Sequence, residues 1–187
     1  MDLNSILSAL AITWPIWFVT AVLVVAAVID GIQLKVPNWL TFPFIVTGWV
    51  YSVAAYGLEG FGWTMLGTIV GLLLLLPAYS IGGMGAGDVK LMMGIGAWVH
   101  VSTTFYAFCA TTIVGAVLAV LMVLARKAWG KHYAQFWAIL AEILVIKNPD
   151  KLAVIAAERK STMLLLPYGI PMAIGTIGYF AWMGMYL

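Results

Sequence analysis

Six apolar stretches constrain this chain more than any other feature. A helix that crosses hydrocarbon needs about 20 apolar residues, and candidates fall at 12–29, 39–56, 62–81, 89–100, 103–125 and 167–187. Composition agrees with lipid as the main solvent: 64% of residues are hydrophobic and 9% charged, where a soluble domain is about a quarter charged. The expected fold is all-α, a polytopic membrane protein with six transmembrane helices, and no repeat or change of composition divides residues 1–187 into more than one domain. A net charge of +2 offers no basic surface for nucleic acid, so membrane lipid is the expected surrounding and nucleic acid is not an expected partner. Residues 1–13 contain Asp2 and no Lys or Arg, unlike the basic start of a cleavable signal peptide.

The fourth stretch is short, rising only about 18 Å, and one long helix over 89–125 is the alternative. Charge decides between them. With six spans and the N-terminus outside, the breaks at 30–38, 82–90 and 126–166 face the cytoplasm. They hold Lys35, Lys90 and seven further basic residues, which is all nine Lys and Arg of the chain. The positive-inside rule predicts this asymmetry, and fusing the fourth and fifth spans would strand seven of the nine outside. Keeping a short fourth span implies that the segment around Asp88 sits at membrane depth or that the bilayer thins there. Within 126–166, residues 133–146 are apolar, too short to span and interrupted by Glu142, which predicts an interfacial helix. Asn148–Pro149 predicts the start of a second one, reaching about residue 160. The plain reading of this basic loop is anchoring to anionic lipid; docking of a basic substrate segment is the functional alternative.

Of the seven acidic residues, two stand apart. Asp30 ends the apolar run VLVVAAVID, and Asp88 opens the run VKLMMGIGAWV. An ionisable group at membrane depth is costly and marks a candidate site, and the topology puts both on the same face. Close aspartates do not readily ionise together, so one holds a proton while the other is charged. Such a pair supplies a general base and a general acid without metal, cofactor or covalent intermediate. His100 and His132 fall on opposite faces and Cys109 is alone, so neither a zinc site nor a Ser-His relay is expected. Two other readings of the acids stay open: capping or ion pairing, Asp30 with Lys35 and Asp88 with Lys90, and a proton relay in a small transporter. Pro37 and Asn38 are expected to open the second span, with Asn38 as its cap.

Residues 82–88 read GGMGAGD. Glycine lets backbones approach closely and adopt positive φ, although glycines also serve ordinary helix packing in membranes. Gly85-Ala86-Gly87-Asp88, followed by Val89-Lys90-Leu91-Met92, resembles the GxGD signature of the type IV prepilin peptidase family. The segment Asp30 to Asn38, with Lys35 before Pro37-Asn38, resembles that family's first aspartate motif, and Pro167-Tyr168-Gly169 resembles its Pro-Tyr-Gly segment.

The resemblance implies a GxGD-type aspartic endopeptidase with Asp30 and Asp88 as the catalytic pair. Gly85, Gly87, Lys35 and Lys90 would form the site around them. It implies a pilin-like precursor as substrate, cut at a short basic leader on the cytoplasmic face of the inner membrane. Long members of the family also carry a cysteine-bearing insert and methylate the new pilin N-terminus. This chain has only Cys109, so it resembles the short branch serving tight-adherence (Flp-type) pili, and methyl transfer is not expected. A protease of the signal-peptide-peptidase type, which also carries GxGD but cuts within a helix, is the competing enzyme.

Overall fold

The computed structural model describes residues 3–80, 83–125, 137 and 166–187, with side chains from residue 13 onward. Apart from Trp137, the interfacial helices expected at 133–146 and 149–160 lie outside the described residues, as does His132. The described residues form four helices: α1 (Leu3–Gln33), α2 (Asn38–Ser80), α3 (Ala86–Ala125) and α4 (Gly169–Trp182). Three of them, over Thr13–Gln33, Asn38–Ser80 and Ala86–Ala125, are long and apolar enough to cross a membrane. Val28, Val50, Leu73, Ile113 and Val117 point outward, each more than half exposed. Water would penalise so much outward apolar surface; hydrocarbon does not, and the molecule is a membrane protein.

Neither α2 nor α3 is one straight rod. The helical path of α2 breaks at Gly57 (φ 67°, ψ −157°) and that of α3 at His100 (φ 62°, ψ −176°). Glycine takes such a conformation without strain, whereas at His100 it costs about 1–3 kcal/mol and survives only because the surrounding packing enforces it. Contacts show that both breaks reverse the chain. The Trp49 indole N–H donates to Thr68 Oγ1 at 3.1 Å across 19 residues, which a straight helix would hold about 28 Å apart. In α3, Gly87 lies against Val36, just after Asp30, and Gly115 lies against Tyr168, whose neighbour Gly169 binds Asp30, so residues 87 and 115 come back to one end. The breaks fall where the apolar stretches were expected to part, between 56 and 62 and between 100 and 103.

The first half of α3 is the centre of the bundle: Leu91, Met92, Ile95 and Ala97 are fully buried. It accepts neighbours at backbone distance because glycines line the contacts. A Cβ at Gly67 would collide with the Gly96 carbonyl, and one at Gly96 with the Gly67 carbonyl. Gly71 meets the backbone of Met92, and the Phe44 ring lies on Gly94. The second half of α3 lies antiparallel to α4. Tyr106 stacks on Tyr179 at 5.8 Å, and Gly175 sits against the backbone of Thr111. α1 packs along α4, with Thr20 Oγ1 and the Tyr186 hydroxyl 2.7 Å apart at one end.

One correction concerns the start of α2. Asn38 does not serve as the expected cap: its amide oxygen accepts a hydrogen bond from Lys90 Nζ at 2.8 Å. The first turn is closed by the Pro37 carbonyl, which accepts from the backbone N–H of Leu40 and Thr41.

Two glycines on the same bundle test this packing. Gly96→Ala forces the helices apart, and the thermal midpoint of the detergent-solubilised protein should fall by roughly 5 °C or more. Gly62, around which a Cβ meets nothing within 4 Å, should tolerate alanine or gain slightly from it, since alanine is the better helix former by about 0.5–1 kcal/mol. Equal midpoints for the two variants, read by fluorescence-detected size exclusion, would contradict the arrangement.

Candidate active site

Asp30 lies in the last turn of α1, which closes at Leu34 in a left-handed conformation (φ 51°). The residue is 3% exposed. Oδ2 accepts a hydrogen bond from the backbone N–H of Gly169 at 2.7 Å. Gly169 is the first residue of α4, so its N–H is one of those a helix leaves without an intrahelical acceptor. The start of α4 thus presents both a donor and the positive end of a helix dipole to a carboxylate. The fit needs glycine, because a Cβ at 169 would stand 3.0 Å from Asp30 Oδ2 and Cβ.

Asp88 lies in the first turn of α3 and is 8% exposed. Its Oδ2 accepts from the Gly85 N–H at 3.2 Å, while its own N–H donates to the Gly85 carbonyl at 3.2 Å. This is the reciprocal pattern of a helix N-terminus, with the side chain reaching back to the N–H before the first turn. Both acids therefore sit on helix N-termini, one on its own helix and one on a neighbour's.

Three segments remote in sequence meet here. Gly87 approaches Val36 so closely that a Cβ would collide with the Val36 carbonyl, which lays the loop after Asp30 directly on the start of α3. Tyr168 and Gly169 close the third side, with the Gly169 N–H bound to Asp30. The Tyr168 ring lies within 3.5 Å of the position a Cβ at Gly115 would take.

The structure thus gathers Asp30, Asp88, Gly85 and Gly87. The two lysines belong to the periphery. Lys90 donates to Asn38 and stands 4.7 Å from the centre of the Phe42 ring, tying α3 to the start of α2. Lys35 is exposed on the loop. His100 is at the reversal of α3, twelve residues from Asp88 and so about 18 Å away along the helix. There it lines a cavity of about 330 Å³ with Tyr56, Glu59, Gly60 and Trp63. Among the described residues, no three His, Cys, Asp or Glu side chains gather as a metal site. Sequence reasoning assigned no role to the Gly169 N–H, Tyr168 or Val36. The Pro-Tyr-Gly segment was the signal for the first two; Val36 carried none.

Because α1 meets the start of α4 at the acids, cysteines placed there should join. A Cβ at Gly31 lies 3.5 Å from Ile170 Cδ1. In a Cys109→Ser background, Gly31→Cys with Ile170→Cys should crosslink under mild oxidation. Ile32→Cys with Ile170→Cys should not, since Ile32 is 77% exposed. Equal crosslinking of the two pairs, read by mass spectrometry of the linked peptides, would contradict the geometry.

Comparison with known proteins bears on this site. Residues 17–120 match the model of the type IV leader peptidase family. Over 122 residues, 62% of this chain and 41% of the relative, the sequence is 31% identical to a prepilin leader peptidase/N-methyltransferase of Neisseria gonorrhoeae. Over 127 residues, 64% of this chain and 41% of the relative, it is 29% identical to the protein of that name from Aeromonas hydrophila. The match thus covers about two fifths of the length of these relatives. No solved structure matches. The family match takes in Asp30 and Asp88 and stops short of α4, which the fold brings to the same end. With more than half of its residues under the family model, the chain belongs to the type IV leader peptidase family.

Proposed function

We propose that the protein is a membrane aspartic endopeptidase that removes the short basic leader from type IV pilin-like precursors, with Asp30 and Asp88 as its catalytic pair. The observation that carries this reading is the burial of both acids at one end of the bundle, where the loop after Asp30 lies on Gly87, the residue before Asp88. The relatives' name, prepilin leader peptidase, supplies the substrate class.

The chemistry follows from two carboxyls that share one proton. The charged one takes a proton from water as the oxygen attacks the scissile carbonyl. The protonated one donates to the carbonyl oxygen; as the C–N bond breaks, the first passes the proton it took from water to the leaving amine, and the second recovers its proton from the diol. Gly85 and Gly87 shape the site: the first binds Asp88 through its N–H, and the second allows Val36 to close in. Lys35 and Lys90 stand at the rim, where positive charge holds this end at the anionic cytoplasmic leaflet.

The topology proposed is six spans in the inner membrane, with the N-terminus outside and the catalytic end cytoplasmic. Reversals at Gly57 and His100 divide α2 and α3 into two runs each, and every Lys and Arg then falls on the inner side. A basic leader stays inside by the same rule, which brings the scissile bond and the pair to one face. We assign the peptidase reaction alone, without methyl transfer, to the short branch that serves tight-adherence pili.

Co-expression with a pilin precursor bearing a basic leader tests the assignment. Asp30→Asn and Asp88→Asn should each abolish leader removal on a blot while the protein still reaches the membrane in normal amount. Lys35→Ala should leave most of the activity. A substantial residual rate in either Asn variant would overturn the paired-acid mechanism. A cut mapped inside the apolar helix would point to the intramembrane type of protease instead.

A further inference from the structure

We propose that the cavity at the reversals of α2 and α3 binds an alkylammonium group, presented by the headgroup of an aminophospholipid, at the end of the bundle opposite Asp30 and Asp88. This goes beyond the peptidase reading and does not rest on it.

The two reversals build the cavity. The break at Gly57 folds α2 back, so that a Cβ at Gly60 would stand 2.5 Å from Tyr56 Cβ and 2.8 Å from the Ser52 carbonyl oxygen. The Ser52 hydroxyl, buried and without a hydrogen-bond partner among the described residues, stands 2.8 Å from the same position. The break in α3 brings the His100 ring edge-on to the Tyr56 ring, with centroids 6.5 Å apart. Tyr56, Glu59, Gly60, Trp63 and His100 line a volume of about 330 Å³, near the lower end of the range for small-ligand sites. Two of these walls are held from behind. The His100 carbonyl carbon lies 3.2 Å from the place of a Cβ at Gly67, and its oxygen accepts from the Thr104 hydroxyl. The Tyr56 ring meets Tyr51 at 6.4 Å.

The lining sets the charge of the occupant. Glu59 is an acid, whereas Lys35 and Lys90, the two described Lys or Arg residues, both stand at the other end of the bundle. Among the described residues no cation pairs with Glu59. A carboxylate between a tyrosine and a tryptophan offers a cation both a counter-charge and aromatic faces. The His100 imidazole adds a nitrogen that, when neutral, accepts an N–H. A metal ion is less well served, because no three His, Cys, Asp or Glu side chains gather among the described residues. The surface next to the cavity says what carries the ammonium. From Trp63, the exposed Leu66, Ile69 and Leu73 follow one another along α2 at three- and four-residue spacing, which is a single helix face. An acyl chain laid along that face ends with its headgroup at the cavity.

The test uses the full chain, delipidated in detergent, and its thermal midpoint. Phosphatidylethanolamine added to the micelles should raise the midpoint by roughly 4 °C at saturation. Phosphatidylglycerol with the same acyl chains lacks the ammonium and should leave it unchanged. In Glu59→Gln the lipid concentration needed should rise by about tenfold or more, as for loss of a hydrogen bond to a charged group. In Trp63→Leu it should rise by about threefold. Equal rises with the two lipids, or an undiminished response in Glu59→Gln, would overturn the proposal. If Glu59→Gln fails to fold, the same titration of Trp63→Leu decides, and an unchanged response there overturns it. A rise that O-phosphoethanolamine reproduces at the same concentration would keep the ammonium site and overturn its assignment to lipid. A rise with zinc chloride and none with phosphatidylethanolamine would overturn the proposal in favour of a metal.

Discussion

The bundle closes through a buried hydrogen bond between residues 139 positions apart, from the Gly169 N–H to Asp30 Oδ2. α1 relies on α4 to stay in place, and this bond pins one end of that contact while Thr20 and Tyr186 pin the other. A carboxyl on a residue 3% exposed in an apolar bundle is tolerable only if its oxygens are answered. A hydrogen bond to a charged group contributes about 1.5–3 kcal/mol, and leaving the acid without it costs more than that contact alone. The interaction that completes the fold is therefore also the one that builds half of the site, and loss of either entails loss of the other.

Lipid supplies no hydrophobic force between helices, so helices in a membrane must gain from close packing and polar contacts. Here the backbone itself is the packing surface. Gly67 and Gly96 exclude side chains from each other, and Gly71 does the same against Met92. These approaches wrap the first half of α3 on several sides and make it the core. Gly87 repeats the device at the site, where contact with the Val36 carbonyl leaves no room for a side chain. In the GxGD segment, glycine thus has two separate duties: Gly85 answers Asp88 with its N–H, and Gly87 admits the loop that follows Asp30.

Much of this was legible in the residues. Apolar length alone predicts the helices, and the gaps between apolar stretches predict breaks near Gly57 and His100, because a change of direction needs a residue outside the helical region. Asp30 and Asp88 stand out because charge is scarce in an apolar chain. What the sequence hid is everything set by distant contacts. Asn38 reads as a cap, yet Lys90, fifty-two positions away, takes its amide oxygen; a local capping rule cannot foresee a competing donor. Gly115 looks like any glycine in an apolar helix, and only the return of α3 on itself brings it to Tyr168. Gly169 acts through its backbone N–H, a group every residue but proline possesses, so no residue type could announce it.

The short first half of α3 links the fold to the proposed chemistry. A helix exposed to lipid must match the bilayer, but one enclosed by other helices need not, because its neighbours carry the match. Residues 88–99 are almost wholly buried, so this run can begin below the level at which a lipid-facing helix would start. On the proposed topology, Asp88 in its first turn would be held deeper than an interfacial residue, and the end of α1 that carries Asp30 lies at the same end of the bundle. In the proposed reaction, a precursor whose apolar helix stays in the bilayer would present the bond next to that helix at the same depth. The substrate helix would then need no unwinding, and the N–H groups of Gly85 and Gly169 would sustain the proposed pair in place of water.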